Sequence, residues 1–194
     1  MKSYLSLLSI SLLLLGGCAH QIAFQDAGYT IAPERQNADI VAVIDPATLD
    51  RVVSIRSFMT GIAHSWDAQP GQMLKQVADI ELPQMFNNYQ FATSYPQPQN
   101  RVIVLELSIP NYQFTDFKAN ISVRAIAYGP NKVELLDQTY TAVGESQGGK
   151  MFWAGPFGMK SAVRQSSLAA YQKIFAQLRG DLANALKSSK YSKS

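Results

Sequence analysis

Cysteine and histidine are scarce in this 194-residue chain, which holds one cysteine, Cys18, and two histidines, His20 and His64. A single cysteine excludes a disulfide within the chain, and so few Cys and His residues exclude a structural zinc site of four such ligands. Net charge is also small, because 17 Lys and Arg residues oppose 14 Asp and Glu residues, which leaves +3. Proteins that bind nucleic acid carry a stronger basic bias, so the composition predicts no nucleic-acid partner.

Long apolar runs are absent as well. The apolar stretch from Tyr4 to Leu15 is interrupted by serines, and at about 12 residues it is shorter than the ~20 that a membrane-spanning helix needs. Lys2 precedes this stretch, and two glycines follow it. A basic start, a short apolar core and small residues at its end are typical of a secretory signal peptide, which we predict at residues 1–17.

Leu15, Gly16, Gly17 and Cys18 form a sequence that resembles the bacterial lipobox, with a leucine three residues before the cysteine and small residues between them. The resemblance implies that a signal peptidase recognises the first three residues and cleaves before Cys18. It also implies diacylglycerol on the Cys18 sulfur and a fatty acyl chain such as palmitate on the new amino group. Three acyl chains, at ~0.8 kcal/mol per buried CH₂, hold a protein firmly in a membrane.

Two further expectations concern the N terminus. Ala19 follows the cysteine where the enterobacterial sorting rule places aspartate in inner-membrane lipoproteins, which implies lipid anchoring in the outer membrane. The alternative interpretation is an ordinary signal peptide whose cysteine has no role. Either way, the chain is predicted to be exported from the cytoplasm.

The mature chain is predicted to contain one domain. Residues 18–37 are polar and without clear periodicity, which predicts a lipidated N terminus and a tether, with a short β segment at 29–31. Residues 38–187 carry regular patterns and are predicted as a single α+β periplasmic domain. The basic segment 188–194 is predicted as a disordered tail.

The first half of the domain carries two strand patterns. Residues 38–44 and 51–58 are rich in β-branched side chains, and the two strands could pair as a hairpin. Residues 65–72 contain capping residues and an early proline, which predict the start of a helix that ends near Asn88. Pro83 is expected to kink this helix or to begin a second one.

The second half carries three strand patterns and a helix. Residues 101–109 alternate as a strand, and 117–128 with 133–144 predict a long hairpin. The last helix is predicted from Ser161, with an apolar stripe at alternating spacings of three and four. Its members are Leu168, Tyr171, Phe175, Leu178, Leu182 and Ala185. The order β-β-α-β-β-β-α predicts an α+β fold with one mostly antiparallel sheet and two helices packed on one face.

Candidate catalytic groups are few. His64, Ser65 and Asp67 are near neighbours, whereas the members of a catalytic triad normally come from separate segments, so we interpret them as a helix entry. Asp79 and Glu81 are predicted on the solvated face of the same helix. No catalytic residue, metal or cofactor is predicted, apart from the covalent lipid on the cysteine.

Aromatic side chains concentrate in two segments. Residues 148–158 are predicted as a loop that contacts a protein partner or dips into a membrane, or that folds back over the sheet as a cap on the core. Its candidate contact residues are Met151, Phe152, Trp153 and Phe157. Tyr112, Phe114 and Phe117 are predicted either to pack in the core or to line a groove.

The pattern of residues 36–188 resembles small Gram-negative outer-membrane lipoproteins, namely the YajG-type lipoproteins and the auxiliary lipoproteins of ABC-type lipid-transport systems. The resemblance is carried by FKANISVRAIAYGPNKVELLDQTYTAVGE, followed by SLAAYQKIFAQLRGDLANAL. It implies a non-enzymatic protein, so no catalytic residue is carried over to this chain.

These observations favour an outer-membrane lipoprotein that faces the periplasm and acts as an accessory or assembly subunit of a complex for lipid or glycan transport. Its partner would be an envelope protein or a second copy of the chain, contacted through an open strand edge, the sheet face or the aromatic loop. The alternative is a binding module for a small apolar or glycan ligand, with a pocket that contains Tyr112, Phe114 or Trp153. An envelope hydrolase would need a cleft that joins His64 to a distant serine and a carboxylate.

Overall fold

The computed structural model describes residues 18–24, 27–56, 64–97 and 102–189. In these ranges the chain forms eight strands and three α-helices, and the predicted α+β class is confirmed. The strands are β1 (Cys18–Ile22), β2 (Asp39–Val43), β3 (Val53–Arg56), β4 (His64–Ala68), β5 (Tyr89–Ala92), β6 (Val102–Thr115), β7 (Lys118–Tyr128) and β8 (Glu134–Val143). The helices are α1 (Pro46–Leu49), α2 (Pro70–Met85) and α3 (Gly148–Ser188). The predicted signal peptide and most of the predicted tail lie outside the described residues.

The strands form two sheets rather than the single sheet predicted. One sheet has the order β5-β2-β6-β7-β8, and the other has the order β1-β4-β3. The long strands β6, β7 and β8 pair antiparallel, whereas β2 pairs parallel with both β5 and β6. The predicted β2–β3 hairpin is wrong, because α1 follows β2 and β3 pairs with β4 instead. A hairpin needs a short, tight turn between its two strands, and the helix α1 takes the place of that turn.

The main core lies between the five-stranded sheet and the helices α2 and α3. Alternate residues of β6, from Ile103 to Ile109, are buried on this inner face, as their spacing predicts. β7 contributes mostly small side chains there, so α3 can approach closely. At the closest point, a Cβ added to Gly144 would overlap the backbone of Ser166, whose hydroxyl accepts a hydrogen bond from the amide of Ala119 (2.9 Å).

α3 begins at Gly148, so the loop predicted at residues 148–158 is wrong. The stripe predicted from Leu168 onward extends toward the N terminus, with Met159, Ala162 and Val163 buried. Packing of this continued face against the sheet offsets the ~1 kcal/mol that each glycine costs in a helix. No helix in the described ranges combines the length and the apolar character that crossing a membrane requires.

The segment predicted as a helix entry is strand β4. Trp66 and Ala68 are buried at alternate positions, which is the period of a strand, and α2 starts two residues later at Pro70. Pro83 is exposed and lies within α2, which continues as one helix to Met85 rather than ending at the proline. The four-residue strand β5 was not predicted, because it is too short to give a clear pattern.

The tether predicted at residues 18–37 is also wrong, because this segment is packed against the domain. Ile22 and Phe24 are buried, and the Gln76 side chain donates a hydrogen bond to the Phe24 carbonyl (3.0 Å). The amide of Gln36 donates to the Met85 carbonyl (2.7 Å), and residues 29–31 form no strand. The buried side chains are spaced irregularly, so no period in the sequence marks them.

Buried tyrosines make the fold sensitive to alkali. Burial raises the pKa of Tyr112 to about 12, and burial also raises the pKa values of Tyr140 and Tyr171. Since the unfolded chain loses these protons near pH 10 and the folded chain keeps them, the free energy of unfolding should fall above pH 10. Each group contributes at most about 1.4 kcal/mol per pH unit.

Urea denaturation between pH 9 and 11 checks this dependence. The Tyr140 hydroxyl donates a hydrogen bond to the Asp181 carboxylate (2.8 Å). This bond raises the pKa of Tyr140 further, because it stabilises the protonated hydroxyl. The variant Tyr140→Phe should therefore show a shallower pH slope than the native chain, although it loses some stability at pH 8. Equal slopes in the two proteins would contradict the assignment.

Candidate interaction site

A groove of about 360 Å³ lies on the outer face of the five-stranded sheet, opposite the helices. We call it the outer groove. It forms where β2 and β5 end and where the middle of β6 meets the second half of β7. Its lining residues are Val43, Asp45, Thr93, Ser94, Tyr95, Glu106, Leu107, Ser108, Arg124 and Ile126.

The outer groove has an apolar floor. Val43, Leu107 and Ile126 line it, and Val43 is buried together with Val41 and Val104 in a second hydrophobic cluster, separate from the main core, against which Tyr95 packs. The Tyr95 ring lies 6.0 Å from the Tyr128 ring, edge to face. The run of β-branched residues in β2 predicts a strand that is buried on both faces, and this cluster accounts for the second face.

Charged groups flank this floor. The Arg124 guanidinium on β7 donates two hydrogen bonds to Asp137 on β8, at 2.9 and 2.6 Å. The hydrogen bonds from Arg124 hold the pKa of the Asp137 carboxyl below its usual value. Glu106 pairs in register with Ile126, and in the described ranges its carboxylate takes part in no salt bridge. It is therefore available to a basic group on another molecule.

β8 adds an open strand edge beside the groove. It is the last strand of the sheet, and nine of its ten residues pair with β7. Most of its residues are exposed. An exposed edge offers backbone hydrogen bonds to a strand from another chain. Groove and edge together present aromatic, hydroxyl, carboxylate and backbone groups, a mixture suited to contact with a protein. In the described ranges, no group of three or more His, Cys, Asp and Glu residues is arranged to hold a metal ion.

The predicted lipidation residue is the first residue of a strand. Cys18 begins β1, and its Cα pairs with that of His64 at the start of β4. Leu15, Gly16 and Gly17 lie outside the described residues. Lipidation and cleavage therefore remain predictions from the sequence.

The predicted contact residues Met151, Phe152, Trp153 and Phe157 lie in the first turns of α3 rather than in a loop. The structure describes their backbone but not their side chains, so their role in partner contact remains a prediction. α3 begins beside Phe117, in the turn between β6 and β7, since a Cβ added to Gly148 would lie 3.4 Å from the Phe117 ring. The groove residues of β7 are Arg124 and Ile126, in the second half of that strand.

Tyr112, Phe114 and Phe117 belong to the core, which confirms one of the two interpretations. The Tyr112 side chain is 3% exposed, and its hydroxyl shares a hydrogen bond with that of Ser167 (2.9 Å). Phe114 and Phe117 are partly buried and pack against the main core. The Tyr112 side chain is therefore packed in the core and is not exposed to a ligand.

Ser65 and Asp67 lie on one face of β4, while Trp66 points into the core. Asp67 accepts a hydrogen bond from the Ser54 hydroxyl on β3 (2.6 Å). This contact ties the two strands together and gives Asp67 a structural partner.

A buried polar cluster joins three segments that are distant in the sequence. Glu81 on α2 forms a salt bridge with Arg179 on α3, and it accepts a hydrogen bond from the Tyr29 hydroxyl (2.8 Å). The Glu81 side chain is 1% exposed, so its predicted place on the solvated face is wrong. The position of Glu81, four residues after Val77 and four before Met85, puts it on the buried stripe of α2 and could have revealed this.

Comparison with solved structures finds a protein that shares this fold. Protein XCC0632 from Xanthomonas campestris, of the family DUF330, superposes with a TM-score of 0.53 over 90% of this chain and 99% of its own, at 11% sequence identity. CT253, a hypothetical protein from Chlamydia trachomatis, gives a TM-score of 0.43 over 75% of this chain and 99% of its own, at 10% identity. No protein-family model and no curated protein sequence matches this chain. The fold is shared with the DUF330 protein.

Proposed function

We propose that this chain is a non-enzymatic outer-membrane lipoprotein that faces the periplasm and serves as an accessory subunit of an ABC-type transport complex of the cell envelope. The observation that carries the proposal is the lipobox, Leu15 to Cys18, immediately before a domain with the DUF330 fold. Lipid on Cys18 would restrict the domain to the membrane surface, which raises its effective concentration beside partners in the same membrane.

The outer groove supports a protein partner. Its apolar floor is flanked by Glu106, which has no salt-bridge partner in the described ranges, and by the pair Arg124–Asp137. The adjoining edge of β8 could add a strand from the partner. The binding-module alternative has less support, because Tyr112 and Phe114, two of the three residues that a pocket could contain, pack in or against the core.

Site-specific photocrosslinking in intact cells tests the proposal. A photoreactive residue placed at Ile126 lies in the outer groove, and a matched one at Gln177 lies on the exposed side of α3. We expect Ile126 to crosslink a component of an envelope transporter, identified by mass spectrometry, and Gln177 to crosslink little. Crosslinks from Ile126 only to the chain itself, or equal products at both positions, would contradict the groove as the partner surface.

A further inference from the structure

The N terminus of the mature chain is fixed to one end of the three-stranded sheet. Cys18 pairs in register with His64, and Ala19 pairs with Ser65, which in turn pairs with Arg56 at the end of β3. Two strand spacings of about 4.8 Å place the backbone of Arg56 about 10 Å from that of Ala19. The end of the sheet that carries Cys18 therefore also carries the end of β3 and the start of β4.

The chain has no free length between Cys18 and the domain. β1 starts at Cys18 itself, and its last residue, Ile22, is fully buried and accepts a backbone hydrogen bond from Gln69 (3.0 Å). Phe24 is also buried, with an edge-to-face contact to Tyr171 at 6.5 Å between ring centroids. A lipid on the first residue of a paired strand holds the whole domain, whereas a lipid on a flexible tether leaves it free to rotate and move away.

We propose that the end of the three-stranded sheet formed by Cys18, Arg56 and Ser65 rests directly on the bilayer surface, with no tether between the lipid and the domain. This inference rests on the proposed lipidation of Cys18. Arg56 is exposed at this end, and its positive charge suits the phosphate groups of anionic lipids.

The same geometry orients the outer groove. The Arg51 guanidinium donates to the Ile109 carbonyl (2.7 Å), and Ile109 follows the groove residue Ser108. Arg51 comes two residues before β3 begins at Val53, and Val53 is about 10 Å from Arg56 along the strand. The groove thus lies toward the end of β3 that is away from the membrane, where a periplasmic partner can reach it.

Lipid-dependent quenching measures this orientation in the full lipidated protein. In that protein the Cys18 sulfur is occupied, so an engineered thiol is the single labelling site. We would attach a fluorophore to Arg56→Cys or, as a matched control, to Asp50→Cys, which is exposed near the start of β3. The proteins would be placed in phosphatidylethanolamine and phosphatidylglycerol vesicles that contain a lipid with a spin-labelled headgroup.

We expect quenching at position 56 to exceed that at position 50 several-fold. A flexible Gly/Ser spacer of about 20 residues, inserted after Cys18, should reduce quenching at position 56 to the level at position 50. Two results would overturn the proposal that this end of the sheet rests directly on the bilayer. One is equal quenching at the two positions without the spacer, and the other is unchanged strong quenching at position 56 with the spacer. Acylation and vesicle flotation are measured on the same samples, so a failure of lipidation is distinguished from a failure of the orientation.

Discussion

Replacing Glu81 with alanine should lower the free energy of unfolding by about 3 kcal/mol, since breaking a buried ion pair by removing one partner costs 3–5 kcal/mol. The Arg179 side chain is 25% exposed, so water can partly solvate its unpaired charge, which favours the lower end of that range. The Tyr29 hydroxyl also loses its acceptor. Urea denaturation at pH 7 measures the difference.

Two variants make this prediction specific. Glu81→Gln retains oxygen and nitrogen atoms for hydrogen bonding but removes the charge, so its loss should be smaller. Glu34→Ala removes the partner of Lys187 in a salt bridge whose side chains are 63% and 57% exposed, and exposed pairs contribute about 0–1 kcal/mol. If Glu81→Ala cost no more than Glu34→Ala, the buried cluster would not contribute to stability.

Replacing Cys18 with alanine should abolish acylation and remove the protein from the outer-membrane fraction. The thiol is the group that accepts diacylglycerol in the proposed processing, and alanine offers no equivalent nucleophile. Without acyl chains the domain loses the ~0.8 kcal/mol per buried CH₂ that holds it in the bilayer. Incorporation of labelled palmitate and density fractionation of the envelope measure the two effects.

His20→Ala provides the matched control for Cys18→Ala, since it changes a nearby residue outside the lipobox and should retain both label and location. The mass of the N-terminal peptide then separates the possibilities for any protein that stays with membranes. Palmitate label in the Cys18→Ala protein would refute the assignment of Cys18. Retention without label, on a cleaved chain, would show that the lipid is not the anchor.

The periodic segments were predictable because their packing partner is the same along the whole element. β6, β7 and β8 alternate against one face of helices, and the second half of α3 keeps one stripe on the sheet, so local spacing reports burial. The segments predicted incorrectly lack that uniform environment. β1 pairs with β4, Phe24 contacts Tyr171 on α3, and Tyr29 and Gln36 bond to α2. The first turns of α3 contain glycines that favour a loop when judged alone.

Of the two candidate functional features, one could be predicted from the sequence and the other could not. The resemblance of Leu15 to Cys18 to a lipobox lies in four contiguous residues, so lipidation can be predicted without a fold, and it remains a prediction. The outer groove could not be predicted, because Val43, Glu106 and Ile126 come from three strands and meet only through the register of β2, β6 and β7.

The sequence by itself therefore predicts the cellular location proposed for this protein, and it determined which segments form the long strands and the last helix. These properties depend on contiguous residues and on local periodicity. The tertiary structure alone decided that there are two sheets, that Glu81 is buried against Arg179, and that Cys18 begins a paired strand rather than a tether. These features depend on contacts between residues that are far apart in the chain, and such contacts are fixed by the packing of the whole domain.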